Sequence, residues 1–210
     1  MKNGLITAIE ALERENVEVI IKNALQSGRD AASLLSDCRA GMRSFIKQYL
    51  HKECYLDAVL DAASIVNDTV DMLKNHVPDY SNSYIGKIVI CTVMNDVHQN
   101  GRLMAVGILR AVGFEVFDLG YDVPPDRVIE ALRDTNAPIL ALSGMVSSYV
   151  DSMKIIADEV RKAGQNPKIV VCGAMASEDL QRFVGADSYT KDAVEGANKF
   201  MEWVGADTSV

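Results

Sequence analysis

The sequence predicts an α/β protein in which a helical N-terminal part precedes a parallel β-sheet. Residues 1–76 repeat apolar side chains at intervals of three and four, the period of amphipathic helices. From residue 87 to residue 210, short β-branched runs alternate with helix-type segments, a pattern typical of parallel sheets. Residues 77–86 contain proline, asparagine and serine without apolar periodicity. We therefore interpret them as a linker between two domains.

Four helical segments are predicted in the N-terminal domain. The first is GLITAIEALERE, and the second is NVEVIIKNALQSG, with Asn16 as its predicted N-cap and Gly28 just beyond its end. Two longer segments follow, and Asp30 lies near the start of the third. Short connections favour antiparallel neighbours, so we expect a four-helix bundle.

Five strands are predicted after the linker, in the segments KIVICTVM, EVFDL, PILALS, KIVVCG and SYT. A helix-type segment follows each of them, and the second of these helices is opened by proline in PPDRVIEALRDT. Right-handed crossovers cover both faces of such a sheet with helices. The flavodoxin-like strand order 2-1-3-4-5 is favoured, and it places a ligand crevice where strands 1 and 3 diverge.

Composition excludes several classes of function. The 210 residues are 49% hydrophobic and carry a net charge of -8. No run of Lys or Arg is present, which argues against partners such as nucleic acid or an anionic membrane surface. The apolar runs are shorter than the roughly 18 residues expected of a spanning helix. The four cysteines show no CxxC pair, so we expect a cytoplasmic protein with reduced thiols.

Polar and small residues follow three of the predicted strands, in the segments 96–101, 143–149 and 172–174. The carboxyl ends of parallel strands meet at one edge of a sheet, so these segments should be neighbours. His98 is a potential metal ligand, although it could also be an ordinary solvated loop residue. Asp96 could simply cap a turn, and Gly173 could be a turn glycine.

Three common uses of this scaffold do not match the sequence. A flavodoxin needs hydroxyl side chains after strand 1, and the segment NDVHQNGR contains none. A response-regulator receiver needs an aspartate at the end of strand 3, where this chain has Ser143. A dinucleotide-binding fold needs G-x-G-x-x-G after strand 1, which is missing. We therefore interpret the site as one built around His98.

The motif D-x-H-x-x-G, followed by Ser-Gly-Met and Cys-Gly on such a domain, resembles the cobalamin-binding module of methionine synthase. The same pattern occurs in the corrinoid proteins of methyltransferase systems. The segment DCRAGMRSFIKQYLHKECYLDAVLDAA resembles the helical cap domain of those proteins. DLGYDVPPDRVIEAL is similar to their second strand and helix, so the resemblance covers nearly the whole chain.

The resemblance implies that His98 is the lower axial ligand of cobalt, replacing the cofactor's own dimethylbenzimidazole. Asp96 would then hydrogen-bond the other ring nitrogen of His98. Ser143 and Gly173 match residues that line a slot for the displaced nucleotide tail, where a glycine allows close approach of the backbone. Tyr55 in the cap matches an aromatic residue that covers the corrin, although ordinary bundle packing is an alternative for it.

The resemblance thus implies one set of cofactor-binding residues, with His98 as the metal ligand. The set is Tyr55, Val59, Asp96, Val97, His98, Gln99, Asn100, Gly101, Ser143, Met145, Ser147, Tyr149, Cys172, Gly173 and Ala174.

Several positions depart from the family pattern. Met145 replaces a leucine of similar volume, which should be tolerated. Cys172 replaces a glycine, so the tail pocket should be reshaped. Tyr149 falls where methionine synthase has the serine of a His–Asp–Ser relay, and Ser147 or Ser148 could serve instead. Arg102-Leu103 replaces the usual Lys-Asn after the glycine of the motif.

The function implied is that of a corrinoid protein that binds cobalamin base-off/His-on, as methylcobalamin or a related corrinoid. It would carry a methyl group from a substrate-specific methyltransferase to an acceptor methyltransferase, with a reductive activating protein as a further partner. It would be a carrier subunit, not catalytic alone. A cobalamin-dependent sensor or regulatory protein is the main alternative. The small subunit of an adenosylcobalamin mutase is another, although that subunit usually lacks the cap.

Overall fold

The structure is a computed structural model that describes residues 4–145 and 149–206. These residues form two compact units. One comprises residues 4–85, 107–114 and 201–206, and the other comprises residues 86–106, 115–145 and 149–200. In the described ranges, no helix combines the length and the apolar character needed to cross a membrane.

The first unit contains the four predicted helices. They are α1 (Gly4–Glu10), α2 (Arg14–Gln26), α3 (Ala31–Leu50) and α4 (Leu56–Leu73). The Asp30 side chain caps α3, since it accepts a hydrogen bond of 2.9 Å from the Ser33 backbone N–H. Helices α1 and α3 pack closely at Gly41, where an added Cβ would lie 2.9 Å from Ile9 Cγ2.

The two ends of α2 differ in how well they match the prediction. Asn16 is not the N-cap: the helix begins at Arg14 after Glu13, because Leu12 adopts a positive φ of 57° and turns the chain earlier. The Asn16 amide instead donates to the Glu13 carboxylate at 2.7 Å. At the other end, Gly28 lies just past the helix with φ 78°, as predicted.

Between the helices and the sheet, a short 3₁₀ turn spans Tyr80–Asn82. The buried Arg39 side chain donates to the carbonyl oxygen of Ser83, immediately after this turn. The C-terminal part of the segment predicted as a linker is therefore bound to helix α3.

The described residues form one sheet of five strands in the order β2-β1-β3-β4-β5, which confirms the predicted topology. The strands are β1 (Gly86–Thr92), β2 (Phe114–Asp118), β3 (Ile139–Ser143), β4 (Lys168–Cys172) and β5 (Ser188–Thr190). The helices are α5 (Asn100–Val112), α6 (Pro125–Thr135), α7 (Val150–Lys162), α8 (Glu178–Val184) and α9 (Ala193–Trp203).

The parallel register aligns the last residues of four strands in one row. Thr92 pairs with Ser143, Ser143 with Cys172, and Cys172 with Thr190. Residues in register point to the same face of a sheet, so these four side chains share a face. The opposite face packs an apolar cluster against α6, α7 and α8. The loops that follow the row leave the sheet at a single edge, where the candidate site lies.

Candidate functional site

The centre of the site is a hydrogen-bonded pair, Asp96 and His98. Asp96 Oδ1 lies 2.7 Å from His98 Nδ1 and accepts a second hydrogen bond of 2.8 Å from the His98 backbone N–H. Asp96 Oδ2 accepts one of 2.8 Å from the Met145 backbone N–H. The Asp96 side chain is 0% exposed, whereas that of His98 is 46% exposed.

This geometry selects one tautomer of the histidine. An ionised carboxylate can only accept hydrogen bonds, so the proton of the neutral imidazole resides on Nδ1. Nε2 then keeps its lone pair and can bind a metal, in the arrangement usual for a histidine ligand held by a carboxylate. The buried Asp96 carboxylate fixes the orientation of the half-exposed His98 ring. Nε2, on the side of the ring away from the carboxylate, is then available as a nitrogen ligand.

The chain reaches this arrangement through a tight turn after β1. Asn95 adopts a left-handed φ of 69°, which asparagine tolerates well. The Asp96 backbone N–H then donates to the Val93 carbonyl at 3.1 Å. The hydrogen bond that the His98 backbone N–H donates to the Asp96 carboxylate follows a common local pattern, in which an aspartate side chain accepts from the backbone two residues ahead. Thr92 Oγ1 donates to the His98 carbonyl at 3.2 Å and closes the loop.

Gly101, the last residue of the motif, lies exposed in the first turn of α5. A Cβ built on it would have no atom within 4 Å. A glycine in a helix is less favourable than alanine by about 0.5–1 kcal/mol. Nothing in the described part of the chain therefore requires a glycine there, and the position leaves open space next to the His98 loop.

A glycine is needed at position 173 for a reason that lies in the fold. Gly173 has a φ of 115°, and an added Cβ would lie 2.2 Å from the Gly144 carbonyl oxygen. An added Cβ on Gly144 would in turn lie 2.5 Å from Met153 Cε. The loops after β3 and β4 are thus in direct backbone contact, and this contact explains Gly173 as a turn glycine needed by the fold.

Ser143 and Cys172 are half-buried at the ends of their strands. Burial raises the pKa of the Cys172 thiol to about 12, against a smaller opposing effect of the Lys199 charge. Cys172 Sγ lies 3.9 Å from the Val170 carbonyl oxygen. At neutral pH the thiol is therefore a small, protonated group beside Ser143.

The remaining predicted residues of this unit are mostly exposed. Val97 is 62% exposed, and the side chains of Gln99, Asn100, Met145 and Ala174 are also exposed.

The third position of the relay falls in and beside a part of the chain that the structure does not describe. Tyr149 precedes α7, is half-buried and packs against the apolar cluster on the sheet. Ser147 and Ser148 lie outside the described residues.

Two predicted residues belong to the helical unit. Tyr55 immediately precedes α4 and is 85% exposed, so it offers an aromatic surface. Val59 is fully buried and therefore presents no surface to a ligand in this structure.

The sequence reasoning missed the contribution of the loop after β2. The buried Arg102 side chain donates to Asp118, which also accepts a hydrogen bond of 3.0 Å from the Gly120 backbone N–H. Asp122 contacts the turn that carries Asp96. The two aspartates of the segment DLGYD were available as a signal, but their partners lie 16 and 27 residues away in the chain.

Comparison with known proteins identifies the domain. Residues 86–202 match the B12 binding domain. The chain is 28% identical over 201 residues to the dimethylamine corrinoid protein of Methanosarcina barkeri, covering 94% of each chain.

Solved structures show the same fold. A crystal structure of a cobalamin-binding protein from Desulfitobacterium hafniense superposes with a TM-score of 0.76 at 27% identity, covering 95% of this chain and 96% of that one. The methanol:cobalamin methyltransferase complex MtaBC from Methanosarcina barkeri contains a chain with a TM-score of 0.86 at 23% identity, which supports the fold alone. That match covers 100% of this chain and 83% of the other. The domain match spans more than half of the chain, and this protein therefore belongs to the B12 binding domain family, among the corrinoid proteins.

Proposed function

We propose that this protein holds cobalamin, or a related corrinoid, through His98 and carries methyl groups between two methyltransferases. Membership of the B12 binding domain family supports the cofactor. The observation that carries the ligand assignment is the 2.7 Å contact between Asp96 Oδ1 and His98 Nδ1, which leaves Nε2 for cobalt. Imidazole nitrogen is a common ligand for transition metals of this type.

The residues present fit a corrin ring beside His98. Val97, between Asp96 and His98 in the chain, and Met145, whose backbone N–H bonds to Asp96, expose apolar side chains, and Met175 does so on the loop after β4. Exposed apolar side chains next to a donor atom are typical of a ligand site. The open space at Gly101 is a further place where a bulky group can approach the backbone.

Ser143 and Cys172 are proposed to border the slot for the nucleotide tail. They share a face of the sheet with Thr190, against which α9 packs closely: a Cβ on Gly196 would lie 3.1 Å from Thr190 Cγ2. The side chain of Cys172, where the family pattern has a glycine, should narrow the slot. We expect the slot to be tighter than it would be with glycine at position 172.

When bound, cobalamin supplies a cobalt ion that accepts a methyl group from one partner and donates it to another. The protein itself orients the His98 imidazole and shields its Nε2 from water. Asp96 fixes the imidazole before binding, so little reorganisation is needed when the ligand bond forms. Val97 and Met145 would exclude water from the region around Nε2.

The partners proposed are a methyltransferase specific for the methyl donor and a second one for the acceptor, with a reductive activating protein. Relatives named as dimethylamine corrinoid proteins favour a methylated amine as the donor.

Reconstitution with hydroxocobalamin tests the ligand assignment. The wild-type protein should give the base-off absorption spectrum with histidine bound, and His98→Ala should lose it. His76→Ala is the matched control, since this exposed histidine lies in the helical unit. A spectrum in His98→Ala that is unchanged from wild type would overturn the assignment.

Transfer of ¹⁴C from labelled methylamines tests the carrier role. The reduced holoprotein is mixed in turn with purified methyltransferases specific for mono-, di- and trimethylamine. Label should co-elute with the holoprotein in at least one mixture and be absent with His98→Ala. No labelling in any mixture, together with tighter binding of adenosylcobalamin than of methylcobalamin, would support a sensor instead.

A further inference from the structure

The loop after β2, residues 119–123, lies along the last residue of β1 and the first residue beyond it. The Thr92 backbone N–H donates to the Gly120 carbonyl at 2.9 Å, and the Val123 N–H donates to the Thr92 carbonyl at 3.2 Å. Val93 and Val123 form a parallel bridge. The pairing of the two chain segments thus continues past the end of the strands and into the loop that carries Asp96.

Asp122 makes the last contacts of this pairing. Its carboxylate accepts a hydrogen bond of 2.7 Å from the Asn95 backbone N–H, and its own N–H donates to the Asp96 carbonyl at 3.1 Å. Asn95 and Asp122 both have positive φ, at 69° and 54°. One residue therefore holds the backbone on both sides of the turn from which the Asp96 side chain projects.

With Asp122 in place, the polar atoms of Asp96 are all engaged. Its N–H bonds to the Val93 carbonyl and its carbonyl accepts from Asp122. Its two carboxylate oxygens accept from His98 and Met145. The hydrogen bond that the Asp122 N–H donates to the Asp96 carbonyl fixes the Asp96 main chain from the loop after β2, so a shift there would move the carboxylate and the imidazole together.

We propose that Asp122 is a positioning residue that sets the orientation of the His98 imidazole through Asp96. This inference rests on the proposed role of His98 as the cobalt ligand. Asp122 is itself exposed, so its hydrogen bond competes with water and contributes little to overall stability. Its effect should therefore appear in ligation and not in folding.

Two substitutions distinguish the effect of the Asp122 carboxylate from the effect of its backbone conformation. Asp122→Gly keeps the positive φ but removes the acceptor. Asp122→Asn keeps both, because asparagine tolerates this conformation and has a carbonyl acceptor. Asp79→Gly is the matched control: Asp79 also has a positive φ, 53°, and its carboxylate also accepts side-chain hydrogen bonds, but in the helical unit.

The probe is aquocobinamide, a corrinoid without benzimidazole, so that nitrogen coordination reports the protein alone. Binding is measured by titration, and nitrogen splitting in the electron paramagnetic resonance spectrum of the Co(II) form reports the bound imidazole. Asp122→Gly should bind about tenfold more weakly, as expected for a group that supports a metal ligand indirectly, with reduced nitrogen splitting. Asp122→Asn and Asp79→Gly should match wild type within about twofold.

The outcomes distinguish this inference from the proposed function. If wild type shows nitrogen splitting and Asp122→Gly is unchanged in both measurements, Asp122 is not a positioning residue, and the ligand role of His98 stands. If Asp122→Asn loses as much as Asp122→Gly, the hydrogen bond to Asn95 is not the cause. If wild type shows no nitrogen splitting, the ligand role of His98 itself fails.

Discussion

The loops after β1 and β4 both carry residues of the recognised motif, but they are shaped by different forces. Hydrogen bonds that the Asp96 carboxylate accepts hold the loop after β1, while His98 stays half-exposed and the space at Gly101 stays open. Backbone contact shapes the loop after β4, where Gly173 meets the Gly144 carbonyl. Motif residues of one type can therefore serve ligand binding in one loop and folding in another.

Gly173→Ala should have the largest effect on stability. The added Cβ would meet the Gly144 carbonyl at 2.2 Å, and φ is 115°. Strain at such a φ costs about 1–3 kcal/mol. Overpacking adds about 1–3 kcal/mol, so we expect a loss of about 4 kcal/mol in the free energy of unfolding. Urea denaturation of the apoprotein measures it, and a loss below about 1 kcal/mol would contradict the steric explanation.

Asp96→Ala should affect both stability and binding. It removes a buried acceptor of three hydrogen bonds, and each donor left unsatisfied costs about 1–3 kcal/mol when water cannot reach it. Because His98 is half-exposed, water can satisfy part of the loss, so we expect about 3 kcal/mol in total. Hydroxocobalamin affinity should fall by about 10–100-fold. Wild-type affinity in this variant would show that the imidazole needs no support.

The Cys172 thiol, at the end of β4, should make the free energy of unfolding depend on pH. Burial raises its pKa from 9.0 to about 12, so the folded protein keeps a proton that the unfolded chain releases. Its contribution to stability is full below about pH 9 and is lost as pH rises, at about 1.4 kcal/mol per pH unit. Burial also raises the pKa of the Cys38 and Cys91 thiols, so Cys172→Ala should remove only its own share, about 1.4 kcal/mol per pH unit, of the decline measured by urea unfolding between pH 9 and 10.5. If the variant and the wild type lose stability with pH at the same rate, the Cys172 thiol is not buried and the explanation is wrong.

Gly101→Ala should have the smallest effect on stability, and of opposite sign. The added methyl group meets no atom within 4 Å, so the apoprotein should gain about 0.5 kcal/mol from better helix propensity. Corrinoid binding should weaken by about tenfold if the cofactor occupies that space. Gly28→Ala is a useful contrast, since Gly28 has open space but a φ of 78° outside the site. Unchanged affinity in Gly101→Ala would remove Gly101 from the cofactor site.

The sequence predicted the order of elements and the local part of the site, because both depend on short-range patterns. The strand order 2-1-3-4-5 follows from alternating strands and helices with right-handed crossovers. The Asp96–His98 contact spans two residues, and the resemblance of the D-x-H-x-x-G motif to the cobalamin-binding module implied it.

What the sequence missed depends on contacts between distant residues. Met145 reaches Asp96 across 49 residues and Asp122 reaches Asn95 across 27, and neither pairing leaves a local pattern. The cause of Gly173 depends on the position of Gly144 in a neighbouring loop. The prediction of Asn16 as the N-cap of α2 failed for a similar reason, because the positive φ at Leu12, which the sequence pattern did not reveal, moved the start of the helix.

The most direct test of the account asks which nitrogen binds cobalt. Uniformly ¹⁵N-labelled protein is reconstituted with unlabelled cobalamin and reduced to the Co(II) form, and its electron paramagnetic resonance spectrum is recorded. Coordination by His98 predicts a doublet splitting from ¹⁵N, which should be absent in labelled His98→Ala. A triplet from ¹⁴N would mean that the cofactor keeps its own benzimidazole, and the role assigned to His98 would be wrong.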